Sequence, residues 1–175
     1  MLQSNFKIEK YGLQARLVNE DDAEFIIKLR SQDKARFMNS VSTNVEQQKD
    51  WIRQYKIREE LGQDYYFVFY QNEIPCGLNR MYNIQKDSFV GGSFVFLPDC
   101  GFETPIYSQL MLLHIGFELL NKSICFGNIH KDNKNAIKFN RKFGADFIYE
   151  DENEYFILMS IKTYFEVKNK FESIL

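Results

Sequence analysis

The side chains that most often carry out chemistry are few and scattered in this sequence. Its two histidines, His114 and His130, have no histidine, cysteine or carboxylate partner at the spacing of metal ligands. The three cysteines, Cys76, Cys100 and Cys125, form neither the close pairs of a zinc site nor the density of a disulfide scaffold. We therefore expect reduced thiols and no metal site built by the protein.

Two backbone features are more informative. The pair Gly91-Gly92 interrupts a predicted strand over 89–96, which indicates a bulge or the close approach of a ligand; an ordinary edge irregularity is the alternative. An irregular segment, 97–105, then leads into an apolar helix predicted over 106–120, with Pro105 in its first turn. Free N–H groups at such a helix start attract phosphate, although a plain surface loop is the alternative.

The elements that must position these features follow from hydrophobic periodicity and from turn residues. Helices are predicted over 23–32, between Asn44 and Gly62, over 106–120, between Asn133 and Gly144, and over 163–175 with Tyr164, Val167, Phe171 and Ile174 inward. Strands are predicted over 13–17, 65–70, 77–84, 89–96, 124–129, 147–149 and 155–161.

Length and composition limit the class of protein. The 175 residues fit one domain, 1–175, and 45% apolar residues supply a substantial core. A net charge of −2 argues against nucleic-acid binding by bulk charge, and no apolar run reaches a membrane span of about 20 residues. Without a visible secretion signal we expect a cytoplasmic protein, and the sequence leaves a homodimer open.

One motif resembles a known family. Asn133-x-x-Ala136-Ile-Lys-Phe-Asn140-Arg-Lys-Phe-Gly144 is similar to the second cofactor motif of the acyl-CoA-dependent N-acetyltransferases known as GNAT, and the segment from Arg16 to Phe25 resembles their opening. The resemblance covers residues 13–161 in order. It implies an α/β fold: a mixed central sheet with a splayed strand pair, flanked by helices on both faces.

A narrower likeness points to the acceptor. Trp51-Ile, Tyr55-Lys-Ile-Arg-Glu-Glu, Asp64-Tyr-Tyr-Phe, Gly77-Leu-Asn-Arg80-Met-Tyr82-Asn-Ile and Gly92-Ser-Phe-Val-Phe resemble a bacterial GNAT subgroup often encoded among surface-polysaccharide genes. This resemblance favours an amino sugar as the acceptor of the acyl group.

The resemblance implies acetyl-CoA, or another acyl-CoA, as the donor, with no metal. The pantetheine would follow the strand at 94–96, and the pyrophosphate would meet backbone amides over 104–109, helped by the Ser108 and Gln109 side chains. Two departures from the family stand out: only Gly101 replaces its glycine-rich turn, and Asn140 stands where many members have a thiol-protonating tyrosine. The expected cofactor contacts are Phe94, Val95, Phe96, Thr104, Ile106, Tyr107, Ser108, Gln109, Asn133 and Asn140.

The family layout also brings candidates for proton transfer and acceptor binding to one cleft. Asn140 would orient the thioester, with a helix-bonded asparagine as the alternative, and the catalytic candidates beside it are Tyr82, His130 and Glu154. A core aromatic, a solvated loop residue and a turn charge are their respective alternatives. Arg30, Arg80 and Tyr82 are the expected acceptor contacts, with Arg80 offering bidentate bonds to a phosphate unless a surface salt bridge uses it. Cys100 lacks a partner that would activate it as a nucleophile.

We therefore predict transfer of an acetyl group to a primary amine, by direct attack in a ternary complex, with a nucleotide-linked amino sugar as acceptor. Two alternatives remain. The opening also resembles ribosomal-protein acetyltransferases, which would make the acceptor a protein N-terminus. The missing glycine turn and tyrosine would instead suit a non-catalytic acyl-CoA sensor.

Overall fold

The computed structural model describes residues 1–173, which form an eight-stranded sheet and five α-helices. The strands are β1 (Lys7–Lys10), β2 (Leu13–Leu17), β3 (Asp64–Gln71), β4 (Ile74–Tyr82), β5 (Ser88–Phe96), β6 (Ile124–His130), β7 (Asp146–Glu150) and β8 (Glu154–Ser160). The helices are α1 (Ala23–Arg30), α2 (Val45–Glu60), α3 (Thr104–His114), α4 (Lys134–Lys142) and α5 (Ile161–Glu172).

The sheet is mixed, as predicted. Its order is β1-β2-β3-β4-β5-β6-β8-β7, with β5 and β6 parallel and the other neighbours antiparallel. No helix within residues 1–173 combines the length and the apolar character needed to cross a bilayer.

Local signals set most of the helix and turn boundaries. The Asn44 and Asn133 side chains accept the N–H groups of Gln47 and Ala136, both at 3.1 Å, and so cap α2 and α4. Gly144, at φ 81°, follows α4 in the left-handed conformation that favours glycine. These predictions from the sequence are confirmed.

Two apolar layers cover the sheet. Residues 65, 67 and 69 of β3 pack with α3 and α5, whereas Tyr66 and Val68 pack with α1 and α2. Side chains of a strand alternate between faces, so one strand contributes to both cores. We call these surfaces the α3/α5 face and the α1/α2 face.

The splayed strand pair lies at the centre of the sheet. The pairing of β5 with β6 runs only from Ser88↔Ile124 to Val90↔Phe126, although both strands continue. Beside this gap, Arg80↔Gly92 and Leu78↔Val95 of the β4–β5 pairing leave one extra residue in β5, and Ser93 has a φ of 52°. The expected bulge is therefore present, one position after Gly91-Gly92.

The central helix differs in detail from its prediction. It begins at Thr104 rather than Ile106, and beyond His114 it continues as a π-helical turn over Ile115–Leu119. Within this turn, a Cβ on Gly116 would approach a ring atom of Phe89 to 2.3 Å, so the glycine lets the helix lie close to β5.

Two further differences concern the ends of the chain. Strand β1 was not predicted, because three of its four residues are charged; it pairs with β2. At the other end, Tyr164, Val167 and Phe171 of α5 face the core as predicted, while the predicted inward residue Ile174 and the helix end at 175 lie outside the described residues.

Candidate active site

The gap between β5 and β6 exposes a backbone edge beyond the bulge. Phe94, Val95 and Phe96 follow Ser93 there, and within residues 1–173 this part of β5 pairs with β4 and not with β6. The Phe94 ring lies 5.3 Å from that of Phe139, so α4 lines the gap on the α3/α5 face. An extended ligand with amide groups, such as a pantetheine arm, can hydrogen-bond along this edge.

The start of α3 supplies donors for an anion next to this edge. The N–H groups of Phe102, Glu103 and Ile106 find no hydrogen-bond acceptor among residues 1–173. They stand at the positive end of the helix dipole, and Gly101 leaves open space, since a Cβ there would meet only Thr104 Oγ1 at 3.9 Å. The loop therefore fits a pyrophosphate despite its lack of a glycine-rich turn.

The structure corrects the expectation for the Ser108 side chain, which is fully buried and donates its hydroxyl to the Pro105 carbonyl at 2.8 Å. Gln109 Oε1 accepts from Asn79 Nδ2 at 3.0 Å, which leaves the Nε2 hydrogens of Gln109 as donors. The N–H groups of Thr104 and Tyr107 are also paired, with the carbonyls of Gly101 and Glu103. The backbone donors that this segment leaves available to an anion are therefore those at 102, 103 and 106.

Asn140 lies on α4 with one amide hydrogen committed. Its Nδ2 donates to the Ala136 carbonyl at 2.9 Å, the backbone-bonded arrangement considered as the alternative. An amide nitrogen has a second hydrogen, so this bond leaves one donor for a ligand. Its role toward a thioester stays a prediction.

Tyr82 lies over the bulge on the α1/α2 face. A Cβ on Gly92 would come within 2.9 Å of a Tyr82 ring carbon, so glycine at 92 is what allows the ring to lie there. Burial raises the pKa of Tyr82, as do the charges of Glu154 and Asp64, while Arg80 lowers it. The phenol is therefore protonated at neutral pH and can donate a hydrogen bond but cannot act as a base.

His130 and Glu154 are paired across β6 and β8 on the same face. His130 Nδ1 accepts the Asp132 N–H at 3.1 Å, which places the proton of the neutral ring on Nε2 and leaves no free lone pair. His130 also stacks on Phe37 at 5.0 Å, so the expectation that it is a general base is corrected to an anchor for the loop after α1. Glu154 accepts from Asn128 Nδ2 at 2.7 Å and keeps lone pairs available.

Arg80 does not have the pair of free guanidinium N–H groups for bidentate phosphate binding that the sequence suggested. Its Nε donates to Asp64 Oδ1 at 2.8 Å and its Nη2 to Asp64 Oδ2, while Arg58 Nε reaches the same carboxylate at 3.1 Å. Asp64 is only 2% exposed, so this pair is a buried structural one. Only the remaining hydrogens of the Arg80 guanidinium can meet a ligand.

Two pockets open on the α1/α2 face, and Arg80 lines both. The smaller, about 180 Å³, lies between α1, α2 and the loop 40–42, and includes Arg30, Trp51 and Tyr66. The larger, about 440 Å³, lies at the end of α2 and β4 and includes Arg58 and Tyr82. Arg30, Arg80 and Tyr82 therefore share this face as predicted, whereas Asn133, Asn140 and the start of α3 belong to the opposite one.

Sequence reasoning missed several residues of these pockets. Tyr66 looked like one more aromatic of a strand, and Trp51 served only as part of a resemblance. Both contact Arg80, whose guanidinium carbon lies 5.2 Å from the Trp51 ring and 5.7 Å from the Tyr66 ring. The alternation within β3, which sends Tyr66 to the α1/α2 face, was the available signal.

Cys100 is an unreactive thiol in this environment. Its Sγ donates to the Leu97 carbonyl at 2.9 Å, and burial raises its pKa. All three cysteines are free. The structure thus gives no support to a covalent nucleophile at Cys100.

Comparisons with known proteins agree with this geometry. The model of the acetyltransferase (GNAT) domain matches residues 13–146. The solved structure of apo FdhC, described as a nucleotide-linked sugar GNAT, is similar with a TM-score of 0.87 and 32% identity, covering 96% of this chain and 97% of that one. No protein of curated function matched in a sequence comparison.

More distant structures share the fold. Campylobacter jejuni N-acetyltransferase PseH aligns with a TM-score of 0.63 and 17% identity over 86% of this chain and 99% of that one. The ribosomal-protein-S5-alanine acetyltransferase of Vibrio fischeri aligns with a TM-score of 0.72 and 15% identity over 89% and 97%.

Proposed function

The chain belongs to the GNAT acetyltransferase family and uses acetyl-CoA as its donor, and on this premise we propose that it acetylates the primary amine of a nucleotide-linked amino sugar. The similarity to a nucleotide-linked sugar GNAT supports this acceptor class. The reaction would be a direct attack of the neutral amine on the thioester in a ternary complex: the C–N bond forms, the C–S bond breaks, and CoA leaves as the thiol after its sulfur takes up a proton from the attacking nitrogen.

The charge of the two pocket linings on the α1/α2 face is the observation that carries the proposal. The linings of the two pockets hold three arginines, Arg30, Arg58 and Arg80, against the single carboxylate of Asp64, a net charge of +2. A diphosphate diester carries a negative charge on each phosphate and matches this excess. Arg80 lies between the pockets, where the diphosphate would join a nucleoside in the larger pocket to a sugar in the smaller one.

The residues of the chain divide the remaining tasks between the two faces. Acetyl-CoA supplies an electrophilic thioester carbonyl, and the backbone of β5 beyond Ser93 together with the start of α3 orients it. Tyr82 is the hydroxyl placed at the bulge to donate a hydrogen bond to the bound substrates. Glu154, positioned by Asn128, receives the proton of the ammonium through water, because it is the candidate with a free basic site.

The experiment is thiol release from acetyl-CoA with a panel of acceptors. We expect release with nucleotide-linked amino sugars, weaker activity with the free amino sugars, and intersecting double-reciprocal plots, as a ternary complex requires. Activity only with peptides that start like ribosomal proteins would move the acceptor to a protein N-terminus. Binding of acetyl-CoA without release for any amine would favour a sensor.

Parallel-line kinetics would contradict direct attack. The matched control is Cys100→Ser, which should leave turnover unchanged because the Cys100 thiol is occupied by a carbonyl.

A further inference from the structure

The smaller pocket contains two buried polar atoms that the fold leaves without a hydrogen bond. The Tyr66 hydroxyl and Arg30 Nε have no hydrogen-bond partner within the described residues, although Tyr66 is only 1% exposed. Buried polar groups in proteins are almost always paired, so an unpaired couple lining one pocket needs a physical reason. A ligand group that completes them is such a reason.

These two groups adjoin the bulge of β5. Arg30 Nη1 donates to Ser93 Oγ at 3.3 Å, and its Nη2 donates to the Asn39 carbonyl in the loop that roofs the pocket. Burial raises the pKa of Tyr66, while the charge of Arg30 and the approach of polar atoms of Arg30 and Ser93 lower it. The hydroxyl therefore lies beside both side chains, although neither contact has the geometry of a hydrogen bond. A ligand bound here therefore lies next to the place where the thioester would be held.

The rest of the pocket matches one side of a pyranose ring. Trp51 is 37% exposed and stacks on Tyr55 with centroids 5.8 Å apart and ring planes at 5°, so its position is fixed. An aromatic face suits the C–H side of a sugar, and the lining residues Ser40, Ser42 and Gln47 suit its hydroxyls.

We propose that this pocket binds the pyranose of the acceptor and that the Tyr66 hydroxyl with Arg30 Nε recognises a ring hydroxyl, which makes Tyr66 a specificity-determining residue. The inference rests on the proposed function and deepens it. A hydroxyl accepts from Arg30 Nε–H and exchanges a second bond with Tyr66, whereas a ring position without oxygen leaves both unpaired. Sites built to bond a substrate hydroxyl discriminate strongly against its deoxy analogue.

The test compares two tyrosines of one strand. Tyr66→Phe removes the unpaired hydroxyl, and Tyr70→Phe, four residues later in β3, removes a hydroxyl that accepts from Arg16 Nη2. We expect Tyr66→Phe to keep or raise the Tm, since the hydroxyl makes no hydrogen bond of normal geometry within residues 1–173, and to raise KM and Kd for the accepted amino sugar about tenfold. The ratio of kcat/KM for the accepted amino sugar to kcat/KM for its analogue that lacks the recognised ring hydroxyl should also fall about tenfold. Tyr70→Phe should lower the Tm and leave KM unchanged.

The measurements are calorimetry with uridine and thymidine diphosphate-linked amino hexoses, without acetyl-CoA, and then steady-state kinetics. An unchanged Kd in Tyr66→Phe, or a lowered Tm with no loss of discrimination, would overturn the proposal while acetylation by the wild type would leave the proposed function intact. Sugar binding that depends on Tyr66 but never leads to acetylation would keep the pocket and remove the proposed function. Failure of the wild-type chain to bind any of these sugars would overturn the pocket.

Discussion

Asn140 has a carboxamide where many GNAT members have a tyrosine that can donate a proton, and its contacts allow a specific prediction. Its bond to Ala136 lies within one helix, where such a side-chain bond adds little stability, and alanine is the better helix former. Asn140→Ala should therefore leave the Tm unchanged while lowering kcat about tenfold, if the second amide hydrogen orients the thioester.

Kinetics with saturating acetyl-CoA and a thermal melt decide this point. Normal turnover with a lowered Tm would show a purely structural asparagine. Asn140→Tyr is the complementary variant, since it restores a group that can protonate the thiolate.

Gly92 and Gly91 form a matched pair for testing Tyr82. A Cβ at Gly92 meets a Tyr82 ring carbon at 2.9 Å, whereas one at Gly91 meets Cys125 Sγ at 3.6 Å, an ordinary contact. Gly92→Ala should move the Tyr82 ring and reduce kcat/KM by about tenfold or more, because small displacements at a reacting centre are costly. Gly91→Ala should keep wild-type activity. Equal activity of the two variants would show that the position of Tyr82 is irrelevant to turnover.

Residue types revealed the candidates, but their partners lie elsewhere in the chain. Nothing local indicates that the fork of Arg80 is taken by Asp64, or that Asp132 fixes the tautomer of His130. Such facts depend on tertiary contacts, and they decide which candidate can bind an anion or accept a proton.

The junction of the loop and α3 is the element that distinguishes a donor site from a plain surface turn. Gly101 has room for a side chain beside the free N–H groups of Phe102 and Glu103. Gly101→Asp should weaken CoA binding about tenfold by repulsion of the pyrophosphate, whereas Gly101→Asn, of the same shape, should weaken it much less.

Calorimetry at two salt concentrations measures both variants. The difference between them should shrink as salt rises, because salt screens the added charge. Equal affinities at low salt would place the pyrophosphate elsewhere.

Helices were predicted well where their boundaries are local. The helix ends at Asn44, Asn133 and Gly144 can be predicted from the residue type alone, and the structure confirms them. The π-helical turn was missed because no local pattern indicates it; its Gly116 packs against Phe89, a residue distant in sequence. For the same reason the sequence predicted a bulge near Gly91-Gly92 but placed it one residue early.

At the scale of the whole molecule, a charge cluster joins α5 to the π-helical turn that follows α3. Glu118 accepts hydrogen bonds from His114 Nδ1 at 2.9 Å, Lys168 Nζ at 2.8 Å and the Tyr164 hydroxyl. Burial raises the pKa of Glu118, but these bonds outweigh it and lower the pKa to about 2. The ionised carboxylate therefore favours the folded state.

The sign of the pH dependence follows from this lowered pKa. The stabilisation is complete above the ordinary pKa of 4.5 and is lost as the pH falls toward about 2. Glu118→Gln should lower the Tm by about 3 °C at pH 7. The difference in Tm between Glu118→Gln and the wild type should disappear as the pH falls from about 4.5 to about 2.

Thermal melts across this range test the effect, and Glu166→Gln on the exposed side of α5 is the control that should match the wild type. A deficit that persists unchanged at pH 2 would show that the ionised form of Glu118 does not matter.

The bulge at Ser93 changes which residues of β5, odd-numbered or even-numbered, face a given side of the sheet. Before it, the odd-numbered Phe89 belongs to the core on the α3/α5 face; after it, the even-numbered Phe94 and Phe96 lie there, and Val95 lies opposite. Deletion of Ser93 would restore the strict alternation of side chains between the two faces, and each of these core side chains would stay on its present face. The two apolar layers would therefore be the same without this residue, so the packing of these side chains gives no reason for the chain to contain it.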